Sequence, residues 1–346
     1  MLKRVLSVKS LWRTNQDFRR CFFFNTMNIK EEYEDKKGVR DYLKNDYLRK
    51  RLQEHFLNES SESTLNNVFM TEVSAYFKSV NSDEDIELAN KILQASFRDD
   101  HYQQASKYST EIINRYFVLC LLKNLPDHAT NAWKCIETQD RVKGKNMVLR
   151  FRQLLFTSGR YRDLIDLTID KEDLYNGVSR NKWRDYWFYM SSLYEIGDRK
   201  SFEEASEWYW KVWDPSLGSD EKKISSLAIH WLYSLLALKN KEYCPAFHAS
   251  FGKRDSICYQ ILLTIFLDTY RIEDAVDFLK DEEQNIKVIG TDIIRRLTAS
   301  VKVTNNEDLN NELIKVCREL DARVRLEDRY VHEQVYEAMK GAEKRI

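Results

Sequence analysis

Along residues 143 to 266 the apolar positions recur at intervals of three and four, the spacing of one face of an α-helix. Met147, Val148, Phe151, Leu154 and Leu155 form one such face, and Trp183, Tyr186, Trp187, Met190, Leu193 and Tyr194 the next. Ile224, Leu227, Ala228, Trp231, Leu232, Leu235 and Leu236 make a third, and Cys258, Ile261, Leu262, Ile265 and Phe266 a fourth. Each stretch runs into a short polar break, as at Ser158-Gly159, and then a second, shorter helical pattern.

The second helices share an opening in which a large residue is followed three positions later by a small or aliphatic one. Tyr161/Leu164, Phe202/Ala205, Tyr243/Ala246 and Ile272/Ala275 are the instances after the four helices above; Ile86/Ala89 and Pro126/Ala129 repeat the pattern upstream. Successive junctions lie 40, 35, 41, 41 and 29 residues apart. In such a pair the small residue lets the second helix approach the first, while the large one fills the wedge at the bend. A lone helical hairpin leaves a face uncovered, so such units stack. The pattern therefore predicts an all-α, helical-hairpin solenoid without β-sheet, with an irregular all-α domain as the alternative. At the ends, residues 31–57 read as a charged helix with Tyr42, Leu43, Tyr47, Leu48 and Leu52 inward. Residues 307–340 read as one long charge-laced helix with Leu309, Leu313, Val316, Leu320, Val324, Val331 and Val335 on its apolar side. Polar-faced helices of this kind seal the ends of a stack.

The segments "LLFTSGRYRDLIDL" and "IFLDTYRIEDAVDFL" resemble the bend of pentatricopeptide repeats, and the order of hairpins over residues 40 to 285 is similar to that family. The resemblance implies a mitochondrial α-solenoid of degenerate repeats that binds RNA and acts in maturation of organelle transcripts. It also implies the mitoribosome or RNA-processing enzymes as further partners. The uneven intervals do not fix the positions by which the family reads bases one per repeat, so recognition by shape or backbone is the expectation.

Composition agrees with helices: 9 Gly and 3 Pro in 346 residues leave little material for turn-rich β architecture. No uninterrupted apolar stretch approaches the ~18 residues of a membrane span, so no membrane insertion is expected. Six scattered cysteines form no CxxC pair; Cys244 and His248 are the nearest metal-ligand pair, too few for zinc. The start, "MLKRVLSVKSLWRTNQDFRRCFFF", carries six basic residues against the single acid Asp17. That acid-poor composition is that of a mitochondrial transit peptide, which places the mature chain in the matrix. A basic tail on a cytosolic chain is the alternative. The organisation expected is a transit peptide over 1–24, N-terminal capping helices over 31–80, the repeat solenoid over 81–303 and a C-terminal capping helix over 304–346.

With 55 basic and 55 acidic residues the net charge is zero, so nucleic-acid binding must come from a local patch. From Arg141 to Arg162 there are seven basic residues and no acid. Arg141, Lys143, Lys145, Arg150 and Arg152 head this run, and Arg180, Lys182 and Arg184 open the next long helix; side by side in a stack they would make one basic stripe for phosphates. Alternatively these side chains lie along the margins of an apolar face with their charges in water. The tryptophans at 183, 187, 208 and 231 fall on apolar faces, whereas Trp210 falls off its face and is the candidate for base stacking. No GxxxxGK[ST], HExxH, GxSxG or GxGxxG motif is present, and no enzyme activity or cofactor is expected. A protein–protein scaffold, such as a helical-repeat subunit of the small mitoribosomal subunit, is the competing function.

Overall fold

The computed structural model describes residues 46–57, 70–98, 103–138, 145–168, 183–212, 227–244, 256–282, 284–321 and 323–343. The protein is all-α over these residues, apart from one short ribbon. The chain divides between Arg160 and Tyr161 into two compact units. The first holds α1 (Asp46–Leu57), α2 (Met70–Ser79), α3 (Asp83–Arg98), α4 (Gln103–Lys123), α5 (Pro126–Thr138) and α6 (Lys145–Thr157). The second holds α7 (Tyr161–Thr168), α8 (Trp183–Ile196), α9 (Arg199–Val212), α10 (Leu227–Asn240), α11 (Ser256–Asp268), α12 (Ile272–Asp281), α13 (Thr291–Thr304), α14 (Glu307–Asp321) and α15 (Val331–Glu343). Strands β1 (Val288–Gly290) and β2 (Arg325–Glu327) also belong to the second unit.

Within each unit the longer helices pack in sequence order and the shorter ones flank them. In the first, α2 packs on α4 and α4 on α6, while α3 and α5 lean on α4 and α1 on α3. In the second, the row runs α8, α10, α11, α13, with α7 and α9 on α8, and with α12 on α11 and α14. Inside each unit, successive hairpins therefore touch, the arrangement a repeated two-helix unit needs to bury its second face.

What ends the first helix of a hairpin is conformational. Asn124 (φ 54°), Gly159 (75°), Gly197 (68°), Lys241 (54°), Tyr270 (61°) and Asn305 (54°) follow α4, α6, α8, α10, α11 and α13 in the left-handed region. Such a residue reverses the chain and lets the next amide reach back to a carbonyl five residues earlier, which would otherwise lack a partner. Leu125 N donates to Cys120 O at 2.9 Å, Arg160 N to Leu155 O at 2.8 Å, Glu242 N to Ala237 O at 2.9 Å and Arg271 N to Phe266 O at 2.9 Å. The bend before α3 uses a side chain instead. Asp85 Oδ2 accepts from the amides of Asn81 and Ser82 at 3.1 and 3.2 Å, and Ser82 Oγ accepts from Asp85 N at 3.2 Å, a reciprocal N-terminal cap.

The expected close contacts are present. Ala89, Ala129, Leu164, Ala205 and Ala275 are fully buried, as are the apolar faces of α6, α8, α10 and α11 wherever their side chains are described; Val148, at half-burial, is the exception. Aromatic rings weld the helices into triplets. Phe117 of α4, Trp133 of α5 and Phe151 of α6 have ring centres 4.9–6.2 Å apart. Trp208 of α9 meets Tyr186 and Tyr189 of α8 at 5.5 and 5.4 Å, and Tyr209 of α9 meets Tyr233 of α10 at 4.4 Å.

Three expectations require correction. Residues 307–340 are not one helix: α14 ends at Asp321, where Arg323 N and Val324 N both turn back to the Leu320 carbonyl at 2.8 Å. The chain then extends as β2, parallel to β1, with Val288 opposite Arg325 and Gly290 opposite Glu327. This is the sheet that the apolar periodicity did not foresee. Val324 and Val331 are seven residues apart, two helical turns, so an interrupted helix and a continuous one give the same pattern. Tyr243 does not fill a wedge. Residues 242–244 continue as non-helical chain, which leaves Tyr243 49% exposed and turns Cys244 inward. The expected helix over 31–57 is seen from Asp46, and residues before it lie outside those described, as do Ala246 and the leader.

Because Ala205 has no exposed surface, a larger side chain there has nowhere to go. Ala205→Leu is expected to lower stability by ~1–3 kcal/mol, read as a drop in melting temperature. A melt superimposable on that of the parent would mean the α8–α9 contact is misassigned.

Candidate nucleic-acid interface

The acid-free run is carried by α6, KNMVLRFRQLLFT, whose Met147, Phe151, Leu154 and Leu155 are buried. With that face turned inward, Arg150 and Arg152 fall at its edges, half-buried. Arg150 Nη1 donates to the backbone carbonyl of Asn114 on α4 at 3.4 Å, so its cation ties one long helix to the next. The Nε of Arg152 is shielded from solvent. Arg141, Lys143, Arg180 and Lys182 lie outside the described residues; Lys145 and Arg184 sit in the first turns of α6 and α8, with their side chains outside the described set. The joining of the 141–152 and 180–184 clusters into one stripe thus rests on residues that lie outside the description or on either side of the division at Arg160.

The later cations of the run are engaged with carboxylates. Arg160 Nη1 meets Asp127 Oδ1 at 2.5 Å, and Arg162 reaches Glu204 at 2.7 Å, Ser201 Oγ at 3.0 Å and Asp198 at 4.0 Å. These acids are distant in sequence and come close only because hairpins stack, so a count along the chain overstates the free positive charge. Other bonds continue this polar seam near the bends. Lys123 Nζ donates to Asn81 Oδ1 at 2.9 Å, Ser158 Oγ to Asn124 Oδ1 at 2.7 Å, and Asn240 Nδ2 to Gly197 O at 3.4 Å; Arg199 pairs with Glu242. Exposed pairs of this kind contribute roughly 0–1 kcal/mol each. Their effect is to fix register between neighbouring hairpins.

Trp210 is 56% exposed on α9, whereas Trp208 and Tyr209 beside it are buried, so an indole faces water where the helical spacing placed it. Trp187 and Trp231 are core residues. Buried polar groups serve the core: Tyr209 Oη lies 2.5 Å from His230 Nδ1, Tyr233 Oη donates to Ser206 Oγ at 2.7 Å, and Asn90 bridges Tyr116 and His128. Among the described residues no three His, Cys, Asp or Glu side chains converge on a metal site, and no helix is long and apolar enough to cross a membrane.

No family model, curated protein or solved structure matches the chain.

Arg150 is built into the α4–α6 contact, and this changes what charge reversal there does. Arg150→Glu would place a carboxylate against the Asn114 carbonyl, two acceptors without a donor between them. The expected result is a lower melting temperature by the equivalent of ~1–3 kcal/mol, whereas reversing a free surface cation moves stability by at most about 0.5 kcal/mol. An unchanged melt would mark Arg150 as a free surface cation.

Proposed function

We propose that this chain is a mitochondrial RNA-binding helical-repeat adaptor acting in the maturation of organelle transcripts, holding RNA for processing enzymes or for the mitoribosome. The observation that carries the reading is the acid-free stretch 141–152 leading into α6, one of the long helices that pack in a row. Cations gathered there offer phosphates a local field in a chain whose net charge is zero. The acid-poor start supports residence in the matrix, and the bend segments support a pentatricopeptide-like repeat. Exposed Trp210 adds a ring on which a base can stack. Catalysis is assigned to a partner nuclease and not to this chain.

A protein–protein scaffold is the second reading. It is favoured by the engagement of Arg160 and Arg162 with carboxylates, which halves the apparent length of the basic run. The two readings separate on Lys143 and Lys145, which precede the buried face of α6. In the Lys143→Glu/Lys145→Glu chain, affinity for single-stranded mitochondrial RNA is expected to fall by orders of magnitude at physiological salt. The salt dependence should become shallower by about one unit of slope per lost contact, with circular dichroism unchanged. Equal affinity in variant and parent would remove the stretch from the interface. A parent chain that binds no mitochondrial RNA would put the scaffold ahead.

A further inference from the structure

The parallel ribbon has one edge closed and one open. On β1 the outward amide is taken: Val288 N donates to Ser256 Oγ of α11 at 3.2 Å, and Lys287 N just before it reaches the same oxygen at 2.9 Å. On β2, Arg325 N donates to Lys287 O at 2.9 Å, so the peptide groups of Arg325 and Glu327 point toward β1. Groups of successive residues in a strand alternate sides, and the N–H and C=O of Leu326 therefore point away from β1. Leu326 is 54% exposed and the Arg325 side chain 76%, so this edge lies open to water. Such an edge presents backbone donors and acceptors to another strand.

The side chains of the ribbon divide by face. Ile289 of β1 is buried, and Leu326, opposite it in the ladder and on the same face, carries that apolar surface out past the edge. On the other face Arg325 and Glu327 stand two residues apart with opposite charge. Glu327 is held in place by Arg329, whose Nε and Nη2 donate to its two carboxylate oxygens at 2.8 and 2.7 Å. Arg325 lies 3.9 Å from the same carboxylate, a loose pairing for a guanidinium so exposed.

We propose that β2 is the pairing edge of a two-fold dimer, in which the same strand of a second copy of this chain adds antiparallel to it. The two ribbons then join into one four-stranded sheet. A second copy fits because Arg325-Leu326-Glu327 is complementary to itself read backwards. With the two-fold axis at Leu326, the two Leu326 residues form a hydrogen-bonded pair, each amide donating to the other's carbonyl, with their side chains side by side. Arg325 of each copy stands opposite Glu327 of the other, the cross-strand position at which opposite charges attract. A parallel, in-register partner would instead set Arg325 against Arg325 and Glu327 against Glu327. The two-fold pairing consumes both open edges, so it stops at two copies. Three residues a side fall well short of the roughly 20–30 of a standard interface, so the dimer is weak and governed by concentration. It stands whether or not the chain binds RNA.

Sedimentation velocity of the full chain tests this. The parent is expected to pass from monomer toward dimer between about 1 μM and 1 mM. Leu326→Pro removes the outward N–H and spares the bonds of β2 to β1, a change that an edge strand tolerates, and should weaken self-association by about tenfold or more. Arg325→Glu, at an exposed side chain, should weaken it in the same direction by setting carboxylate against carboxylate across the axis. Circular dichroism of both variants should match the parent; if the proline variant does not fold, Arg325→Glu and hydrogen exchange decide. In the parent, exchange at the Leu326 amide should slow as concentration rises, while that at the buried Leu297 of α13 stays constant. A parent that remains monomeric to about 1 mM would overturn the proposal and leave the edge to an extended segment of another protein. A dimer that forms with parent affinity in both variants, and with Leu326 exchange unmoved, would overturn it too, since another surface would then join the copies.

Discussion

Everything else in the structure depends on how each long helix is stopped. A single residue at positive φ reverses the chain and returns the following amide to a carbonyl that would otherwise be orphaned. The positive-φ residues at 124, 159, 197, 241, 270 and 305 are 29 to 44 residues apart, and those at 124, 159, 241 and 270 are followed by such a returning amide; their spacing sets where each short helix begins. Once the chain has turned, the fully buried Ala205 or Ala275 brings the short helix close, and rings such as Trp133 and Tyr209 fill the space to the next hairpin. The order of causes runs from one backbone torsion to a contact and then to a stack.

Stacking also redistributes charge. Arg160 and Arg162 read as part of a cationic run only while the chain is a line; folded, they face Asp127 and Glu204, which lie 33 and 42 residues away. Arg150 is likewise drawn into the joint between α4 and α6. A repeat protein with equal numbers of acids and bases can spend most of them on register between hairpins, so binding is left to the cations that stacking does not recruit. That is why the proposed contact narrows from the whole of 141–162 toward its beginning.

The helices and their buried faces were legible because burial leaves a period, as at Met147, Phe151 and Leu154. The bends were legible where the residue type announces them, at Gly159, Gly197 and Asn305. They were not at Lys241 and Tyr270, whose residue types carry no preference for the positive φ they adopt. The β1–β2 ribbon left no mark because three residues are too few to establish an alternation, and Val324 and Val331 happen to keep helical phase across it. The basic run was visible, but its partners were not, since a salt bridge across 33 residues is a property of the stack. The buried amides of Gln260 on α11 and Gln334 on α15, which bond each other across 74 residues of sequence, were hidden for the same reason.

The central claim, that left-handed bends define the hairpins, meets its most direct test at Tyr270. This residue is 88% exposed, so its ring contributes little packing, yet its φ of 61° is unfavourable for any side chain. Replacing it by glycine removes the Cβ that conflicts with that torsion. Chemical denaturation of Tyr270→Gly is therefore predicted to show a gain in stability of about 1 kcal/mol. A loss of roughly 0.5–1 kcal/mol, the ordinary entropic cost of glycine in a chain at negative φ, would contradict the account.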